Sequence, residues 1–134
     1  MNIKKGLLMT KNSLIPVSIG EHIDKITILE IKSERINDSN KLNNIKKELD
    51  LLLTLDNKNI VGSKEYYELH KVNESLWEVE DAIRIKDQQN NFGDEFIELA
   101  RQVYRLNDER SRIKNNINIR YGSDLIEEKS YDSY

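Results

Sequence analysis

Several polar side chains of this chain fall where helical periodicity asks for apolar ones. Wound at 3.6 residues per turn, Ser18 to Ile36 places Ile19, Ile23, Ile26 and Leu29 on one side, and Glu30 lands within roughly 20° of Ile19 on that stripe. In a later segment Glu80 lies between Leu76 and Ile83, with Asn73 and Arg84 beside it and Trp77 at the stripe's edge. Further on, Asn107 follows Val103 and Arg110 follows Leu106, while His22 borders the Ile26 region. Helical bundles build ligand sites from side chains that converge between their helices. In such a site Arg84 and Arg110 would hold a carboxylate or phosphate, and Glu30 or Glu80, its pKa raised, would act as acid or base. Asn73, Trp77 and Asn107 would complete the binding surface. The same set supports a second reading. Its carboxylates, guanidiniums and amides balance in charge and are complementary donors and acceptors, so they can satisfy one another and fix helix register or dimer geometry. Charge balance favours the internal pairing.

Other constellations are weaker. Glu21/Asp24 and Glu78/Asp81 share an E-x-x-D spacing that puts two carboxylates on one helix face, within reach of a hard cation such as Mg2+. A helical phosphohydrolase built on paired acidic motifs would carry such pairs. With 24 acidic residues in the chain, however, pairs of this kind arise by chance, and a solvated face is the simpler reading. Two histidines, His22 and His70, and no cysteine make neither a zinc motif nor a thiolate site. No Gly-rich phosphate loop and no nucleophile–histidine–acid arrangement is present. The expected set therefore contains no metal and no cofactor.

The elements that must position these residues are helices. The 134 residues suffice for one domain with a real core, and the composition, 34% charged with five glycines and one proline, is that of a helical protein. Basic and acidic residues number 21 and 24, which disfavours a nucleic-acid partner. Lys11 and Asn12 interrupt the early apolar run short of a signal-peptide core, and no window has the length of a membrane span. A cytoplasmic protein is expected. Pro16 precedes the first helix, and Ser18 with Glu21 has the spacing of a capping box. Helices are predicted over 19–36, 41–55, 64–89 and 94–119, separated by "NDSN", "DNKNIVG" and "NNFGD".

The expected fold is all-α: a single domain over 1–134, an antiparallel bundle of four main helices. It has a short extended lead-in, with residues 1–13 flexible, and a C-terminal tail over 123–134 holding at most one turn of helix. The first two helices carry apolar residues on a second side, Ile28 and Ile31 in one and Leu51 and Leu55 in the other. A helix apolar on two sides is either sandwiched within its fold or buried against another chain, and for so small a bundle this points to a homodimer.

Four stretches carry a likeness to a known family. They are "IPVSIGEHIDKITILEIKSERI" (15–36), "LWEVEDAIRIKD" (76–87), "FIELARQVYRLNDERSRIK" (96–114) and "EEKSY" (127–131). In order and spacing they resemble the DUF6165 family of small, uncharacterised bacterial proteins, from about Leu14 onward. Pro16, Val17, Ser18, Gly20, Glu21, Asp24, Lys25, Thr27, Ile28, Leu29, Glu30 and Lys32 match the family's opening pattern. His22 stands where the family more often has an apolar residue, which argues against a general role for it. The resemblance implies no reaction. It implies a loose association with cell-surface polysaccharide metabolism, and it marks Asp24, Lys25, Glu30, Glu80, Asp81, Arg84, Asn107, Asp108 and Arg110 as shared polar positions; Asp24 and Lys25 thereby join the candidate binding residues. The expected function is an accessory or interaction protein, possessing a protein partner and an interior polar cluster. The alternative is a small all-α enzyme or ligand binder, Arg84 and Arg110 anchoring an anion and a glutamate moving a proton.

Overall fold

Three of the four helices begin where a side-chain oxygen can satisfy a first-turn N–H. The structure is a computed structural model describing residues 11–132. Helix α1 spans Ile19–Arg35, α2 Ser39–Thr54, α3 Lys64–Gln88 and α4 Asp94–Arg120. Ser18, Asp38 and Ser63 cap the first three, accepting from the backbone N–H of Glu21, Lys41 and Tyr66. Helix α4 follows Gly93 without a side-chain cap, and Asp94 and Glu95 in its first turn oppose the helix dipole instead. It ends in a left-handed turn at Gly122 (φ 70°), after which the Ser123 N–H returns to the Asn118 carbonyl at 2.8 Å. The architecture is all-α, with no strand among the described residues. The flexible segment expected over 1–13 lies outside the described residues as far as residue 10; from Lys11 to Ser18 the chain has no helix. The tail from Ser123 to Asp132 likewise carries no helical turn.

Only half of the expected capping box forms. Ser18 accepts from Glu21 N–H at 3.1 Å, but the Glu21 carboxylate turns to Lys114 of α4, 2.6 Å away. A cation on another helix outcompetes the neutral N–H it would have reached locally.

Helix α1 is the hub. It packs against α2, α3 and α4, α3 packs against α4, and α2 touches no helix but α1. Ile23, Ile26, Ile60, Tyr66, Leu69, Ile113 and Ile117 form the core between them. Because α1 is covered from several directions, its buried residues, from Leu29 round through Ile26, Ile23 and Ile31 to Asp24, sweep roughly 220° of its circumference. On the second apolar side of α1, Ile31 is buried within the chain and Ile28 is half-buried. Helix α2 buries only Ile45 and leaves Leu53 exposed.

Helices α3 and α4 outlast the rest. Chain direction reverses between them, with Glu65 against Arg120 at one end and Lys86 against Glu95 at the other. Helix α1 stops at Arg35, which pairs with Glu78, so the last turns of α3 and the first of α4 continue as a two-helix arm. No helix of the structure is long and apolar enough to cross a membrane.

Candidate functional site

Asp24 is a carboxylate fully buried on α1. Arg110 of α4 grips it with two parallel bonds, Nε to Oδ1 at 2.9 Å and Nη2 to Oδ2 at 2.5 Å. Asn73 of α3 donates to the same Oδ1 at 2.9 Å and to the Thr27 hydroxyl at 2.8 Å, while Thr27 donates to the Asp24 carbonyl. One carboxylate thus joins three helices. A bidentate guanidinium suits this place because it neutralises the charge and fills the lone pairs together. The Asp24 hydrogen bonds raise the Arg110 pKa against the opposing effect of its burial.

A second tier lies one turn away. Burial alone would lower the Lys114 pKa, but Glu21 at 2.6 Å, Asp24 at 4.0 Å and Glu127 of the tail at 3.1 Å hold it above its ordinary value. Glu127 is held low by Lys129 and Lys114. Another turn on, Asn118 accepts the Gly20 N–H at 2.6 Å. Here the helices approach so closely that a Cβ on Gly20 would collide with the Lys114 carbonyl. The Ile19 N–H donates to Ser123 Oγ, tying the tail's start to the first turn of α1.

Above this lock opens a groove of about 470 Å³ between α1, α3 and α4. Asn73, Trp77, Glu80, Arg84, Asn107 and Arg110, a set expected from periodicity to converge, all line it, together with Asp81 and apolar Ile28, Ile31 and Leu76. Exposed Arg84 pairs with half-exposed Glu80 one turn away at 3.3 Å. Asn107 accepts from Arg110 at 3.4 Å and donates to the Val103 carbonyl. A larger groove, about 620 Å³, lies between α4 and the tail, bordered by Glu21, Lys114 and Glu127. Its cations Arg110, Lys114 and Lys129 are held by carboxylates. The smaller groove also carries Arg84, its side chain 74% exposed and paired with Glu80 on its own helix, so the smaller groove is the better candidate site.

A family model matches residues 14–134, that of DUF6165, described as a family of unknown function. The chain belongs to the DUF6165 family. No curated protein and no solved structure matches it. The lock and both grooves lie within the matched residues.

Glu30 does not join the others. It is half-buried, outside the groove lining, and its carboxylate accepts the Tyr66 hydroxyl. Burial and this carboxylate push the Tyr66 phenol well above its ordinary range. The two glutamates expected to share a site are thus on separate surfaces, because the side of α1 that bears Glu30 meets the start of α3, and Glu80 lies near its end. Lys25 is exposed and pairs with Glu21 at 3.5 Å. Of the E-x-x-D pairs, Glu21 and Asp24 are taken by Lys114 and Arg110, and Glu78 by Arg35 at 3.3 Å, with Asp81 exposed on the groove. Among the described residues no group of three metal-ligating side chains converges. His22 Nε2 lies 2.8 Å from the Leu52 carbonyl near the end of α2, a bond between helices. His70 contacts Glu74 on its own helix.

Sequence reasoning missed Thr27, Tyr66, Lys114 and Asn118. Three residues of α4 carried a signal: Arg110, Lys114 and Asn118 recur every four residues, a polar row along one helix face. Gly20, Glu21 and Asp24 are its counterpart on α1.

Proposed function

We propose that the protein is a non-catalytic interaction protein, an accessory or adaptor of a cytoplasmic pathway; the family resemblance points to surface-glycan assembly as that pathway. The observation that carries this reading is the internal consumption of the interior charges. Asp24 has both oxygens on Arg110, and Lys114 is held by Glu21 and Glu127. A guanidinium committed to a buried carboxylate is not available to recruit an anion, and breaking that pair leaves a charge stranded. What remains for recognition is surface, including exposed Ile85, Phe92 and Ile97 around the arm. A photo-crosslinking residue placed at Ile97 in cells is expected to trap discrete protein adducts that a site at exposed Lys47 does not. Equal labelling at both sites would refute the reading.

The second reading, a ligand-binding groove, is favoured by one observation: Arg84 lines the groove with its side chain 74% exposed, beside Glu80 and Trp77. There Arg84 would anchor an anionic group and Glu80 would carry the proton. Trp77, the only tryptophan, reports on it. Quenching of its fluorescence by a panel of phosphates and carboxylates, abolished in Arg84→Ala with the fold intact, would establish this reading over the first.

A further inference from the structure

From Glu80 through Arg112 no side chain is buried, although Ile83, Leu99, Val103 and Leu106 in that span form an ordinary core stripe. The flanking residues Val79, 8% exposed, and Ile113, 1% exposed, mark where the full core ends. Helix α1 stops beside Glu78, so α3 runs on for about 14 Å with only α4 for company. Two helices share one seam and cannot cover both of its flanks. One flank is an open groove of about 510 Å³ lined by Val79, Ala82, Leu99 and Leu106, with Glu78 and Arg105 at its borders. Ala82 lets a further backbone approach closely, and exposed Ile85 extends the row by a turn.

Charge along the arm identifies what covers this flank. Helix α4 opens with Asp94, Glu95 and Glu98, then turns basic at Arg101 and Arg105. The pairs of Glu95 with Lys86 and Glu98 with Arg101 have exposed members, so, unlike the buried Asp24–Arg110 pair, they can exchange for contacts across an interface. Laid antiparallel about a two-fold axis, two such helices put the acidic start of each over the basic stretch of the other. A parallel arrangement would set like against like. A surface complementary to itself in this way is what an isologous contact requires. We propose that the open flank of the α3–α4 arm is the interface between two copies of this chain, packed antiparallel as a four-helix layer. The proposal rests on the interaction reading and names the partner.

Sedimentation equilibrium of the full chain tests it. Wild type at tens of micromolar and low salt is expected at twice the 15.8 kDa chain mass. Arg101→Glu/Arg105→Glu and Glu98→Lys are each expected to weaken self-association at least ~10-fold, with circular dichroism unchanged, since each reversal sets like charges facing one another across the interface. Mixing the two variants is expected to restore a mixed dimer. A monomer at 100 μM would overturn the proposal, as would a dimer whose dissociation constant neither variant changes. The crosslinking outcome at Ile97 is read in cells against other proteins, so a monomeric chain that still gives adducts there overturns the second-copy assignment and leaves the interaction reading intact.

Discussion

At the scale of single residues the fold hangs on Asp24. Replacing it by Asn removes the charge while keeping the shape, and leaves Arg110 half-buried without its counter-ion. A loss of about 3 kcal/mol is expected in urea unfolding. Arg110→Lys is expected to recover little of the loss from Arg110→Ala, because an ammonium cannot make the two parallel bonds. Gly20→Ala should cost about 2 kcal/mol by the same measurement, as its methyl group meets the Lys114 carbonyl and separates α1 from α4. Tyr66 gives a pH signature. Its folded pKa is raised, so the native state holds the phenolic proton more tightly than the unfolded chain does. That stabilisation is complete below the unfolded value near ~10 and is lost as pH climbs from there through the higher folded value. The melting temperature of wild type should therefore fall more steeply than that of Tyr66→Phe between pH 9 and 11.

At the scale of elements the four helices are unequal. Helix α2 rests on α1 alone, buries a single residue and is tied laterally by the His22 bond to Leu52. It should open before the rest. Native-state hydrogen exchange is expected to give α2 amides opening free energies on the order of a few kcal/mol below those of α1, and His22→Ala should lower α2 protection selectively. The helices themselves were legible in the sequence to within two residues at every end. Caps at Ser18 and breaks at Gly62 and Gly93 are local chemistry, and local chemistry is written in order along the chain. The lost half of the capping box shows the limit: Glu21 had a local role available, and Lys114, 93 residues away, displaced it.

At the scale of the molecule the tail closes the lock from outside. Ser123 holds the first turn of α1, and Glu127, 40% exposed, covers Lys114. Truncation after Ser123 keeps the first contact and removes the second. It should cost about 1 kcal/mol or less, since a pair this exposed contributes little. The expected readout is an unchanged helical spectrum and a small shift in the urea midpoint.

By itself the sequence determined the helices, their apolar stripes, and the fact that Asn73, Glu80, Arg84, Asn107 and Arg110 face one way. Each of these follows from a 3.6-residue period, which a single helix carries alone. Only tertiary structure decided which helix faces which. It put Asp24 rather than Glu30 at the polar centre, because α1 is covered over more than half its circumference and depth depends on the neighbours as well as on the angle. It also buried Ile31 on the second side of α1 from within and left the α3–α4 arm bare, because α1 ends at Arg35 while its partners continue. Periodicity sets the angle at which a side chain leaves its helix. What that side chain meets depends on the lengths and crossings of the other helices, and those are settled only when all four pack together.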